Sequence, residues 1–487
     1  LLTRRHFLAA TALSSAAILM KSGVPADAAV FDTPLPIPQL IDARSNGGSL
    51  SLTIGQGEHA YRPGQPVDSF GYSGPVLGPV IRLVRGDTTS ITFENKMTRA
   101  TTVHWHGLVI PGAVDGGPHN MIAPGSRWSA SLNVDQPETT AWFHPHPHGD
   151  TARQVFSGLA GLLIVEDGSG QAMGLPRRYG IDDLPLVLQD RVFDRNGAPL
   201  YRPGPMDVMA GYRGGTFIVN GVTTPVARVP AGLVRLRLLN GANARFFDLQ
   251  FSDSRMFHVI ASDGGYLSAP VVLRRLLIAP GERYEVLVDF TNGAAATLET
   301  GPDQNIPMMG MMSGGGAAAS GSMMKFEVDP ALAASRTALP KMLVDVPAID
   351  LSTVANRRQF QLNDMMMGGG MMGGGGSGPI MAINGQPFDM QRVDITAKRG
   401  TTELWEIGSQ MMGHPFHVHG TQFQILSMNG RAPPPHMRGW KDTVIVSREA
   451  QILVPISQLA SREHPFMFHC HILEHEDAGM MGQYTST

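Results

Sequence analysis

The stretch His469-Cys470-His471-Ile472-Leu473-Glu474-His475 carries three of the chain's 17 histidines and its single cysteine. In an extended segment successive side chains point to opposite faces, so the Cys470 thiol must aim away from both flanking imidazoles. One strand then stands between two metal sites. On the thiol side, Cys470 can join His414 and His475 around one ion, with the Met480 thioether as a weak axial ligand. That is the donor set of a blue copper. An electron arriving there can leave through the Cys470 backbone into His469 and His471, a path of a few covalent bonds.

Three more segments belong with it: His104-Trp105-His106, His144-Pro145-His146, and the run from His414 to His419 with His417 inside it. The four together hold ten of the 17 histidines, where random scatter would leave fewer than one. On a strand, residues i and i+2 share a face, so each H-x-H pair aims two imidazoles at one point, roughly 6–7 Å apart at the backbone. This is a chelate spacing. A single H-x-H is more often a solvated strand face, but four clusters in one chain are not.

Outward from these segments, short runs of alternating apolar and polar residues recur between Gly, Pro, Asn and Asp: 89–93, 234–239, 284–290, 402–407 and 423–426. The pattern predicts an all-β chain of sandwiches. Ile122-Ala123-Pro124-Gly125-Ser126-Arg127 returns as Ile278-Ala279-Pro280-Gly281-Glu282-Arg283, each copy leading into an alternating run. Val219-Asn220-Gly221 likewise echoes Ile383-Asn384-Gly385, and Phe257-His258-Val259-Ile260 echoes Phe423-Gln424-Ile425-Leu426. Such echoes mark duplicated domains. Three domains are expected, at 29–170, 171–340 and 341–487. Two Met/Gly tracts, 308–316 and 365–378, read as flexible loops, and 329–350, with three prolines, as the linker into the last domain.

At 487 residues, 43% hydrophobic, the chain exceeds the about 250 residues that one core sustains. A net charge of -3 with scattered Lys and Arg offers nothing to a phosphate backbone, so nucleic acid is no expected partner. Residues 1–28 read as a twin-arginine export signal: Arg4-Arg5 precedes an apolar run of about 13 residues, short of the roughly 20 that span a bilayer. A periplasmic protein that does not span the membrane is expected, and a monomer. With one cysteine it can form no internal disulfide.

The four histidine segments resemble the copper-binding motifs of the multicopper oxidases. Val114-Asp115-Gly116-Gly117-Pro118, Gly439-Trp440-Lys441-Asp442-Thr443-Val444 and Leu473-Glu474-His475-Glu476-Asp477 extend the likeness towards the bacterial copper-efflux oxidase. The resemblance implies three cupredoxin-like Greek-key β-sandwich domains and four copper ions: one type 1, one type 2 and two type 3. It assigns the type 2 copper to His104 and His417. One type 3 copper goes to His106, His144 and His471, the other to His146, His419 and His469. Asp115 would steer water at the type 2 side, and Glu476 would relay protons to the type 3 pair. Some relatives keep the fold after losing the ligands, but here all are present. His148 continues the series begun by His144 and His146, yet the family spacing leaves it out. His59, His119, His258, His436 and His464 read as surface or ordinary hydrogen-bonding residues.

The resemblance implies one-electron oxidation of a substrate at the type 1 copper, coupled to four-electron reduction of O2 to water at the trinuclear cluster. Thioethers suit Cu(I), and the Met/Gly tracts could hold additional labile copper. Asp364, Met365, Met366 and Met412 are the candidate ligands for a substrate copper. Gln410 stands where the copper-efflux oxidase has an aspartate serving the type 1 histidine, and the methionine tract here is shorter. Two substrate classes follow: Cu(I), in copper tolerance, or phenols and aromatic amines, as for a laccase. Non-enzymatic copper storage is a weaker alternative. A copper nitrite reductase has no type 3 pair and no use for eight cluster histidines.

Overall fold

The structure is a computed structural model that describes residues 30–305, 319–366 and 380–487, with the side chains of 364–366 and 380 excepted. The export signal, all of the first Met/Gly tract and most of the second, and the side chains of Asp364, Met365 and Met366 lie outside the described residues. Asp32–Thr487 form one compact unit, which carries everything that follows. No helix among the described residues is long and apolar enough to cross a membrane.

The described residues of Asp32–Thr487 form six β-sheets, paired into three cupredoxin-like sandwiches, each closed over its own core. The strand Thr88–Asn95 shows why: Thr89, Ile91, Phe93 and Asn95 are buried while the residues between them stay partly or fully accessible. Period-two burial of this kind demands a second layer on one face. Phe93 and Ile91 meet Phe143 and Leu163 of the opposing sheet in the first core. In the last core Trp405 and Ile452 meet Phe416, Phe468 and Tyr484.

The sequence echoes occupy equivalent places. In each sandwich a parallel pair is flanked by antiparallel partners: Ser49–His59 with Thr88–Asn95, Asp183–Arg191 with Leu233–Asn240, and Val354–Met366 with Thr401–Gly408. The Ile-Ala-Pro-Gly copies open the antiparallel partners Arg127–Asn133 and Arg283–Asp289. Asn220-Gly221 and Asn384-Gly385 all have positive φ; the first pair joins Thr216–Val219 to Val222–Thr223 as a two-residue hairpin, the geometry Asn-Gly favours.

Four differences from the sequence reading have local causes. Thr33–Pro34, expected with the first sandwich, pairs with Pro225–Val226 at the edge of a middle-sandwich sheet; prolines at 34, 36 and 38 confine the segment to an edge. The strand Val354–Met366 runs into the start of the second Met/Gly tract. Residues 329–350 have no regular structure, as expected, but are pinned: Leu343 N–H donates to the Ser268 carbonyl and Gln424 Nε2 to the Pro347 carbonyl. Finally, three of the H-x-H pairs straddle strand ends, with His146, His419 and His471 just past Thr139–His144, His414–Val418 and Phe466–Cys470.

Candidate metal centre

Two ladders build the centre. In the first sandwich His104–His106 pairs with Thr139–His144, His104 opposite His144. In the last, His414–Val418 pairs with Phe466–Cys470, His417 opposite His469. The ladders face each other, and their rings interleave: His104 stacks on His419 at 3.7 Å between centroids. All eight imidazoles, together with His414 and His475, are buried.

Each ring's hydrogen bond decides which nitrogen is left for a metal. His104 Nδ1 donates to the Asp115 carbonyl (3.0 Å), His144 Nδ1 to the Pro145 carbonyl (2.8 Å) and His417 Nδ1 to the Asp442 carbonyl (2.8 Å). His104, His144 and His417 Nε2 then remain buried with no hydrogen-bond partner among the described residues, as do His106 Nδ1 and both ring nitrogens of His471. His106 is reversed, because its Nε2 donates to Asp442 Oδ1 at 3.0 Å. His469 Nε2 lies 3.2 Å from both His146 Nε2 and His419 Nε2, three nitrogens converging on one point.

Burial drives His146 and His471 down to about 3 and holds His106, His144, His417 and His419 well below the usual imidazole value. These rings are therefore neutral at neutral pH, with lone pairs available. An unsatisfied buried nitrogen costs about 1–3 kcal/mol, and six of them rival the about 5–15 kcal/mol by which a protein is stable. A bound cation relieves that cost.

On the other side of the same strand, Cys470 Sγ lies 3.2 Å from His414 Nδ1 and 3.7 Å from His475 Nδ1, with the two nitrogens 3.3 Å apart. Met480 is buried beside them; its N–H donates to the His475 carbonyl and its carbonyl accepts from Cys470 N–H. A thiolate, two imidazoles and a nearby thioether fit copper.

The two predicted carboxylates border the cluster. Asp115 Oδ2 accepts from His419 Nδ1 at 2.8 Å, so Asp115 orients a ring as well as facing the centre, and its Oδ1 is buried without a partner among the described residues. Glu476 reaches within 3.3 Å of His146 Nδ1 and 3.2 Å of His469 Nδ1. Met412 is buried, its carbonyl accepting from Ser409 Oγ, whereas Met411 is exposed. His148 packs on Phe388, and His59 and His119 bond to the Gly221 carbonyl and Gln483.

Sequence reasoning missed two contacts. His475 Nε2 donates to the carbonyl of Met209 (3.0 Å), on the helix Pro205–Ala210. Asp442 was visible only as part of a quoted motif. The second repeat copy did hold a signal: it has Glu282-Arg283 where the first has Ser126-Arg127, and Arg283 is fully buried.

Multicopper oxidase family models match residues 53–170, 180–297 and 353–487. The chain belongs to the multicopper oxidase family. It is 46% identical to a laccase-like multicopper oxidase, CueO, from the lignin-degrading bacterium Ochrobactrum sp., described with oxidase activity towards lignin model compounds and lignosulfonate; 93% of this chain and 100% of that one are covered, with a TM-score of 0.86. The McoA multicopper oxidase of Aquifex aeolicus is 30% identical, covering 94% of this chain and 100% of that one, with a TM-score of 0.82. The cell division protein FtsP of Escherichia coli K12 is 36% identical over 99% of this chain and 98% of its own length. Membership of the multicopper oxidase family implies copper, and the free imidazole nitrogens and the thiolate suit it.

Proposed function

We propose that the protein is a copper-dependent oxidase that accepts electrons one at a time at the His414–Cys470–His475 centre and passes them to dioxygen at the imidazole cluster. The observation that carries this reading is the strand Phe466–Cys470, which turns Cys470 towards one centre while His469, and His471 just beyond it, face the other. His414, Cys470, His475 and Met480 would hold a type 1 copper. His104 and His417 would hold type 2; His106, His144 and His471, and His146, His419 and His469, would hold the type 3 pair. When bound, these ions supply one-electron acceptance at the first centre and four-electron reduction of O2 at the second.

The chain's own groups do the rest. The Cys470 backbone links the centres covalently. Asp115 Oδ1 faces the cluster as a buried acceptor for water, and Glu476, beside His146 and His469, delivers protons. O2 takes four electrons and four protons to form two waters. We assign Cu(I) as the reductant, each cuprous ion giving one electron and leaving as Cu(II). Met411 and Met412, just before His414, are the soft donors that favour it. A periplasmic monomer exported by the twin-arginine route fits this role.

Two observations favour other readings. The Ochrobactrum relative's activity towards lignin model compounds supports phenols as the reductant. The FtsP relatives support a part in cell division. The test is O2 uptake by the copper-loaded chain supplied with Cu(I) or with a dimethoxyphenol, each with and without added Cu(II). Efficient Cu(I) turnover, with phenol oxidation only when Cu(II) is added, supports the cuprous reading. Rapid phenol turnover without added copper replaces it with a laccase. A chain that binds no copper and consumes no O2 leaves the cell-division reading.

A further inference from the structure

We propose that Arg283 and Asp442 are positioning residues for the imidazole cluster: through them the middle sandwich, which supplies none of the proposed ligands, fixes which nitrogen of His106 faces the metal. The inference rests on the copper reading above and names no new ligand.

Asp442 serves two rings from two sandwiches. Its side chain accepts from His106 Nε2, and its backbone carbonyl from His417 Nδ1. A carboxylate can only accept, so the His106 proton must sit on Nε2, and Nδ1 becomes the donor atom. The other orienting acceptors of the cluster bind Nδ1 and leave Nε2; Asp442, with the Thr443 hydroxyl that donates to it also 3.4 Å from His106 Nε2, reverses the ring.

A buried carboxylate with that task needs a fixed place and a compensating charge. Arg283 provides both. Nη1 and Nη2 donate to the two carboxylate oxygens at 2.8 and 2.6 Å. The remaining N–H groups go to the carbonyls of Gly281, Asp263 and Thr140, so all five guanidinium donors are used. Thr140 lies on the strand that ends in His144. One side chain thus ties the first sandwich's ligand strand and the last sandwich's carboxylate to the middle domain. There is no room for drift: a Cβ on Gly107 would come within 2.4 Å of Arg283 Nη2 and 2.8 Å of Asp442 Oδ2.

A structural ion pair would also be buried and bidentate, so the test needs a control of equal burial. Lys441 is one: its Nζ bridges Asp263 and Glu282 at 2.8 and 3.0 Å without touching an imidazole. Copper-loaded Arg283→Gln, Asp442→Asn and Lys441→Met are dialysed against graded chelator, and copper per chain, the blue absorption band and the electron paramagnetic resonance of the type 2 copper are followed. Arg283→Gln and Asp442→Asn should keep the blue band yet hold cluster copper about 10–100-fold more weakly. Lys441→Met should unfold at lower denaturant but keep wild-type cluster affinity. Should Arg283→Gln fail to fold, Arg283→Lys, which keeps the charge and loses the fork, should give an intermediate loss. Wild-type cluster affinity in the Arg283 and Asp442 variants, or an equal loss in Lys441→Met, overturns the inference. A wild-type chain that binds no copper overturns instead the function on which it rests.

Discussion

His106 lies flat on His417, ring centroids 3.6 Å apart and planes 9° from parallel. One ring comes from the first sandwich and the other from the last, so the cluster exists only along the seam where the two meet. Perturbations that spare each sandwich but disturb the seam should be felt in copper binding before they are felt in folding.

Gly281, on the middle sandwich, abuts the cluster from the side. Its φ is +82°, and a Cβ there would come within 2.8–3.0 Å of three atoms of the His471 ring. Gly281→Ala should lower stability by about 1–3 kcal/mol and weaken cluster copper. Gly400→Ala, at φ +80° with open space around it, should cost only backbone strain. Thermal unfolding and copper content of the two variants separate the clash from the strain; equal effects would remove His471 from the explanation.

Cys470→Ser replaces the thiolate that meets His414 and His475 and should abolish absorption at about 600 nm while sparing the cluster imidazoles. An absorption spectrum of the copper-loaded variant decides this. A variant that stays blue sinks the type 1 assignment.

Glu476→Gln removes the carboxylate beside His146 and His469 without removing a proposed ligand. Copper content should be unchanged, while reoxidation of the fully reduced enzyme by O2 slows by about 10²–10⁴-fold, the range of a lost proton-transfer group. Stopped-flow reoxidation is the measurement, and an unaltered rate would dismiss Glu476 as the relay.

His436 gives a pH prediction away from the copper ligands. Burial, and then the nearby Lys441 charge, drives its imidazole down to about 4, below the about 6.5 of an unfolded chain. The unfolded state therefore binds the proton first, so stability is held above pH 6.5 and lost as pH falls towards 4. Across that window wild type should lose stability more steeply than His436→Gln, by a slope of up to about one proton. Parallel slopes in denaturant unfolding would contradict this.

The histidine segments, the thiol between them and the duplicated strand pattern were legible because each is local: spacing along a few residues carries the information. The four segments also lie far apart in the chain, and only their shared chemistry joined them. Arg283 and Asp442 escaped because their meaning is a contact 159 positions apart, and a lone arginine after Pro-Gly reads as a surface residue, which Arg127 in the first copy is. The strand-end positions of His146, His419 and His471 escaped for a different reason. An alternating pattern says which residues share a face, but not where the ladder stops, and the proline at 145 was the one visible hint.

The Arg283 side chain touches all three sandwiches, and this gives metal uptake a second meaning. A chain whose middle domain is unfolded or misdocked has no Arg283 to hold Asp442 against His106, whatever the state of its ligand-bearing domains. On the copper reading proposed above, metal loading would act as an inspection step: only a chain whose three domains had folded and docked would retain the ions, and a blue colour would become part of its certificate of assembly.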